Sequence, residues 1–104
     1  MRFALALFVL LFASSVQAET NPEPWQEDAI EKVLEYNRID HAQWNSEHIL
    51  QLFSSAAWID WYLVIDQVIC KQFLRDIKKP KDHSFVVIVF QTGTEKSLEV
   101  GRCH

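Results

Sequence analysis

The pattern of hydrophobic and polar positions sets the beginning of the chain apart from the rest. Arg2 precedes an unbroken apolar run from Phe3 to Ala13, and residues 16–18 end in the small-residue pattern that signal peptidase recognises. A run of this length is too short to cross the roughly 30 Å hydrocarbon core of a membrane. We therefore predict a signal peptide over residues 1–18, a single small domain over residues 19–104, and no membrane span after cleavage.

Helical spacing dominates the first half of this domain. Ala29, Val33 and Tyr36 recur at helical intervals, which predicts a helix over about residues 24–37. Asn45 is a suitable N-cap for a second, shorter helix. The apolar residues that this second helix would carry are Ile49, Leu50, Leu52 and Phe53.

The segment AAWIDWYLVIDQVICKQFLRDIKK, residues 56–79, decides the architecture. Its clearly polar positions are separated by seven, four, four and three residues, which places them on one stripe of a helix. These positions are Asp60, Gln67, Lys71, Arg75 and Lys78. The rest of the helix surface is apolar and much wider than the apolar stripe of a typical surface helix, so we predict a buried helix. Pro80 ends it. An alternative makes residues 57–65 a strand, because aromatic and branched side chains alternate there.

The C-terminal segment predicts a β-hairpin. Ser84–Gln91, SFVVIVFQ, is apolar on both faces, as in a strand that is covered on both sides. Residues 92–95 supply a turn with one glycine, and Lys96–Cys103 returns. Strict alternation would point Cys103 away from the apolar side of the returning strand. A bulge at Gly101 would bring it back to the core.

The remaining cysteines, Cys70 and Cys103, predict one disulfide, because an exported chain meets an oxidising compartment. Closing a loop of about 34 residues stabilises a chain by roughly 3 to 4 kcal/mol on the chain-entropy model. The predicted fold class is α+β. Two or three N-terminal helices, the last one buried, pack on a C-terminal β-hairpin or small antiparallel sheet, with one disulfide.

Charge is distributed unevenly along this acidic chain, whose formal net charge is −4. Ten acidic residues and only Lys32 and Arg38 lie between Glu19 and Asp66, whereas seven basic residues face four acidic ones from Gln67 onward. Such asymmetry can steer a charged partner, and oppositely charged solvated faces explain it equally well. Net acidity and export argue against nucleic-acid binding.

The sequence offers no catalytic set, metal site or cofactor motif. No His and Cys residues share metal-ligand spacing, and with only Gly93 and Gly101 in the chain a glycine-rich phosphate loop is excluded. Asp66 is the one carboxylate whose direction falls inside the apolar arc. We expect it to be buried and hydrogen-bonded, as a structural group or as a catalytic acid.

These observations favour a non-enzymatic periplasmic or secreted protein that binds another protein, for example a toxin or enzyme that it inhibits. In size and compartment the chain is similar to periplasmic immunity proteins and enzyme inhibitors, a similarity that rests on no motif. The apolar strand over residues 85–90 needs neighbours on both edges. A free edge would suit a partner or a second copy, unless a helix or the N-terminal lead covers it.

The candidate binding residues are Trp25, Trp44, Asp66, Phe85, Val87 and Val89. Trp25 and Trp44 lie near the ends of predicted helices, where an indole ring either staples the helix or anchors a partner. The alternative function is a small apolar-ligand carrier or an enzyme. Its pocket would be formed by Asp66 with Trp58, Trp61 and Tyr62.

Overall fold

The computed structural model describes residues 22–104, so the signal peptide predicted for residues 1–18 lies outside the described part of the chain. Its elements are α1 (Pro24–Val33), β1 (His41–Ser46), β2 (Ile49–Ser54), α2 (a turn of α-helix, Trp61–Leu63, continued by a π-helical stretch, Val64–Phe73), β3 (Phe85–Gln91) and β4 (Ser97–Cys103). The α+β class and the Cys70–Cys103 disulfide are confirmed. The predicted order of helices followed by a hairpin is not, because a β-hairpin separates the two helices.

The four strands form one mixed sheet in the order β1-β2-β3-β4. The β1–β2 and β3–β4 pairs are antiparallel, whereas β2 and β3 are parallel, with α2 as the connection between them. β3 is therefore paired with a strand on each side. The expectation that residues 85–90 leave a free strand edge is wrong. Among residues 22–104, no helix is long and apolar enough to cross a membrane.

The first predicted helix is confirmed, although it ends four residues earlier than expected. Its start is fixed by a capping box in which the Gln26 side-chain oxygen accepts the Glu23 backbone N–H at 2.8 Å, with Pro24 at the first helical position. Ala29 and Val33 are fully buried beneath it. Hydrogen bonds from Glu35 and Tyr36 back to residues 32 and 33 then turn the chain toward β1.

The second predicted helix is wrong, because its residues form β2. Leu50 and Leu52 point into the core and are fully buried, as the alternation of a strand requires. Pairing with β1 on one side and β3 on the other satisfies the backbone of this segment. Helical spacing and strand alternation are hard to distinguish in an apolar run this short.

The strand alternative for residues 57–65 is also wrong, since Asp60 caps a helix there by accepting the Leu63 backbone N–H at 3.3 Å. In the π-helical stretch each N–H bonds five residues back, as Leu74 does to Ile69. The buried positions follow this wider spacing: Trp61, Ile65, Ile69 and Leu74. Along residues 61–74 only these four positions are buried. The prediction that the whole helix lies inside the domain is therefore wrong.

The C-terminal hairpin is confirmed, but its bulge is not at Gly101. Gly101 pairs regularly with Val87, and the extra residue is Leu98, which lies between the partners of Val89 and Phe90. Gly101 has another role, because a Cβ there would come within 2.6 Å of Ile65 Cγ2. Its bare backbone lets α2 approach β4, beside the disulfide that joins the two elements.

Candidate functional site

The two faces of the sheet differ in what covers them. The face toward the helices carries side chains that have no exposed surface: Leu50, Leu52, Ser54, Phe85, Val87 and Val89. The opposite face carries apolar side chains that remain half-buried or exposed: Ile49, Phe53, Val86, Ile88, Phe90 and Val100. Within residues 22–104, both helices pack on the first face. We call the second the uncovered face.

Strand register arranges the uncovered face in three rows that run across the sheet. The first row contains His41, Phe53, Phe90 and Ser97; the second contains Gln43, Gln51, Ile88 and Val100; the third contains Ser46, Ile49, Val86 and Arg102. Arg102 is the only formally charged residue in these rows, although 23% of the residues in the chain are charged. The face is therefore depleted in charge relative to the rest of the protein.

Side-chain contacts hold this face in a defined arrangement. The Phe53 and Phe90 rings stack with centroids 5.5 Å apart and planes 23° apart, and the His41 ring lies 5.5 Å from Phe53. Beside them, the Gln43 side-chain amide donates to the Gln51 side-chain oxygen at 2.7 Å. A fixed aromatic pair with ordered amides next to it can recognise a partner without first losing much conformational freedom.

The sequence-predicted binding residues lie on the other side of the sheet. Trp25, Trp44 and Phe85 form one aromatic cluster, with ring centroids 5.0 to 6.1 Å apart. The Trp25 indole N–H donates to a Glu23 carboxylate oxygen and the Trp44 indole N–H donates to the Gln26 carbonyl, both at 2.8 Å. This cluster fastens the start of α1 to the sheet, which is the stapling role that the sequence left open.

Phe85, Val87 and Val89 are brought together beneath the helices and have 0% exposure. A partner would have to open the core to reach these side chains. Their neighbours Val86, Ile88 and Phe90 point the other way along the same strand and lie on the uncovered face.

Asp66 is not buried, contrary to expectation, and 53% of its side chain is accessible. It lies 3.6 Å from the Lys71 ammonium and accepts a hydrogen bond from the neighbouring Gln67 amide. The buried positions of this part of α2 are Ile65 and Ile69, and Asp66 lies on the solvent side of them.

The aromatic residues proposed to line a pocket with Asp66 are not gathered around it. Trp61 is 2% exposed and its indole N–H donates to the Ala56 carbonyl, whereas Trp58 and Tyr62 are 74% and 69% exposed. The Arg38 guanidinium lies 5.9 Å over the Trp58 ring. Asp66 itself lines a different cavity, next to the disulfide. The part of the chain that the structure describes contains no cluster of three or more metal-ligating side chains.

The uncovered face was not predicted, because the residues of β2 were expected to form a helix and those of β1 were not expected to form a strand. A signal was present in residues 41–46, where buried Ala42 and half-buried Trp44 alternate with exposed polar residues. Alternation of this kind over four or more residues is typical of a strand.

Comparisons with models of known protein families, with curated proteins and with solved structures found no match to this chain. Its function must therefore be inferred from the surface itself.

Proposed function

We propose that this chain is a non-enzymatic, exported protein that binds another protein through the uncovered face, as an inhibitor or immunity factor binds an enzyme or toxin. One observation carries the proposal: β3 is apolar on both sides, but only Phe85, Val87 and Val89 are fully buried beneath the helices, whereas Val86, Ile88 and Phe90 on the other side keep part of their surface exposed. A periplasmic or secreted location is part of the proposal, and the Cys70–Cys103 disulfide supports it because such bonds persist in oxidising compartments.

The composition of the uncovered face suits a protein partner. A sheet face that meets only water usually carries polar side chains, whereas Val86, Ile88 and Phe90 are all apolar. Interfaces between proteins are depleted in charge at the centre and enriched in aromatic residues, which describes the three rows around the Phe53–Phe90 stack. A contiguous apolar surface on a soluble domain commonly marks an interaction site.

The arrangement of polar groups indicates what the partner surface contains. It is mainly apolar opposite Phe53, Ile88 and Phe90, and it offers hydrogen-bond groups to the Gln43–Gln51 pair. A carboxylate at its rim would meet Arg102, whose guanidinium already donates to the Ser84 hydroxyl at 3.2 Å. Such a partner is a folded protein of complementary shape and not an extended peptide, because the strands at the centre of this face have no free backbone groups.

Self-association is the main competing use of this surface. Two uncovered faces can pack against each other as in a β-sandwich, about 10 Å apart. Pairing of hairpin edges requires a free strand, and in the described sheet that strand is β4 or β1, since β3 lies inside. The oligomeric state of the purified protein distinguishes these arrangements from binding of a different protein.

The test is affinity capture from an extract of the cell envelope and medium with immobilised wild-type protein and two variants. Ile88→Thr keeps a branched side chain on β3 but places a hydroxyl at the centre of the uncovered face. We expect about tenfold less of the captured protein with this variant, since an unpaired polar group at an interface costs more than 1 kcal/mol. Tyr62→Ser removes an exposed aromatic ring on α2, outside the face, and should capture as much as wild type.

Folding of both variants is checked by circular dichroism, and light scattering gives the oligomeric state of each. Equal losses with Ile88→Thr and Tyr62→Ser would show nonspecific adhesion. A wild-type dimer that Ile88→Thr dissociates would assign the face to self-association. Either result, or capture of nothing by the wild type at low and moderate salt, contradicts the proposal.

A further inference from the structure

A cavity of about 810 Å³ opens where the Cys70–Cys103 disulfide joins α2 to β4, at the end of the sheet where β3 begins. Its floor is apolar and consists of the disulfide with Leu74, Ile77 and Phe85, all three of which are buried. A cavity of this volume is within the range of about 300 to 1,000 Å³ that is usual for small-molecule sites.

The rim of this cavity is cationic. The basic residues that line it are Lys71, Arg75, Lys79, Lys81 and Arg102. These are five of the ten lysine and arginine residues in a chain whose net charge is −4. The acidic side chains among the lining residues are Asp66 and Asp82, and His104 lines the cavity as well. Cations collected around a concave, partly apolar site concentrate anions there, even on an acidic protein.

The existing ion pairs of these cations leave them able to contact a ligand. Lys71 lies 3.6 Å from Asp66 and Arg75 lies 3.5 Å from Asp76, but all four side chains are more than half exposed. Exposed pairs of this kind contribute at most about 1 kcal/mol, so a bound anion can compete with them. Lys81 has no ion pair among the described residues.

We propose that this cavity binds a small amphiphilic anion, namely a carboxylate or phosphate attached to a short apolar chain. The apolar chain lies on Leu74, Ile77 and Phe85, and the anionic group pairs with the lysine and arginine side chains of the rim. Arginine supplies paired donors that match the oxygen atoms of either group. This site is separate from the centre of the uncovered face, so its failure or success does not depend on the proposed partner.

The experiment is a titration of the ¹⁵N-labelled protein followed by amide chemical shifts. Octanoate and octyl phosphate carry both charge and chain, octanol carries the chain alone, and inorganic phosphate carries the charge alone. We expect the first two to shift the amides of residues 79–85 and 102–103. Octanol and inorganic phosphate should bind at least about tenfold more weakly, because each makes only part of the contacts. The better of octanoate and octyl phosphate identifies the preferred anionic group.

A matched pair of variants tests the contribution of the rim. Lys81→Gln removes one exposed cation from the cavity, and Lys96→Gln removes one exposed cation from the β3–β4 turn at the other end of the sheet. Lys81→Gln should raise the Kd for the better anion about three- to tenfold, and Lys96→Gln should leave it unchanged. Arg102 is unsuitable because it also lies on the uncovered face.

Three results would overturn the proposal. The first is the absence of shifts with either amphiphilic anion at roughly 10 mM, a concentration at which even a weak site would be detected. The second is equal affinity for octanol, or shifts centred on Phe53, Ile88 and Phe90, either of which would show apolar adsorption alone. The third is an equal effect of the two lysine variants, which would show dependence on net charge and not on the cavity.

Discussion

The covered and uncovered faces of the sheet have similar apolar composition and different surroundings. Along β3, Phe85, Val87 and Val89 have no exposure beneath α1 and α2, while Val86, Ile88 and Phe90 point into the space on the other side. An apolar pattern therefore predicts that a strand face needs cover, but it does not say whether that cover belongs to the same chain.

The two faces also differ in what they contribute to folding. Complete burial of a large aliphatic or aromatic side chain contributes about 1.5 to 3 kcal/mol, and the covered face gains this from every inward residue. The outward residues of β2 and β3 are only partly buried and therefore gain less of it. The covered face therefore stabilises the fold, and the uncovered face retains apolar area that a partner can bury.

The largest contrast is expected between two adjacent residues of β2, Leu52 and Phe53. Leu52→Ala should lower the free energy of unfolding by about 4 kcal/mol, because Leu52 is fully buried and its removal leaves a cavity. Phe53→Ala should lower it by about 1 to 2 kcal/mol, since the ring is only partly buried and loses its stacking with Phe90 and its contact with His41. Urea unfolding of both variants measures the difference. Equal losses would mean that the face is covered within the free protein.

The disulfide is expected to have the next largest effect, because it fastens the helical cover to the edge strand. Replacing Cys70 and Cys103 together by alanine should lower the free energy of unfolding by roughly 3 to 4 kcal/mol on the chain-entropy model. Far-UV circular dichroism during thermal unfolding, with and without reductant, measures this loss. Reductant should destabilise the wild type and leave the double variant unchanged. A wild-type melting temperature that reductant does not alter would contradict the expectation.

The covered face could be predicted well from the sequence wherever local signals agree with the tertiary contacts. Proline and the capping residues fix the start of α1, and strong apolarity with one glycine turn fixes the β3–β4 hairpin. The predicted export and the presence of two cysteines together predicted the Cys70–Cys103 disulfide. The two-sided apolarity of residues 84–91 predicted cover on both faces, and the structure shows complete burial on the face toward α1 and α2.

The remaining features depend on contacts that no local pattern specifies. In residues 49–54 the apolar positions fit helical spacing and strand alternation almost equally well. Pairing with β3 stabilises the strand. In the π-helical stretch of α2, Ile65 packs against Gly101 of the sheet while Asp66 is exposed, a contact that the residues of α2 alone do not specify. Because β2 was taken for a helix, the row that joins Phe53 to Phe90 could not be foreseen.

The smallest contrast is expected between Val100 and Gly101, neighbours on β4 that face opposite sides of the sheet. Gly101→Ala should lower the free energy of unfolding by about 2 kcal/mol, because the added Cβ meets the buried Ile65 side chain at 2.6 Å. Val100→Ala should change it by about 0.5 kcal/mol at most, since half of that side chain is already exposed. Urea unfolding under identical conditions compares the two. If Gly101→Ala proves neutral, α2 does not approach β4 as closely as the structure shows, and the contrast between the two faces weakens where the disulfide joins them.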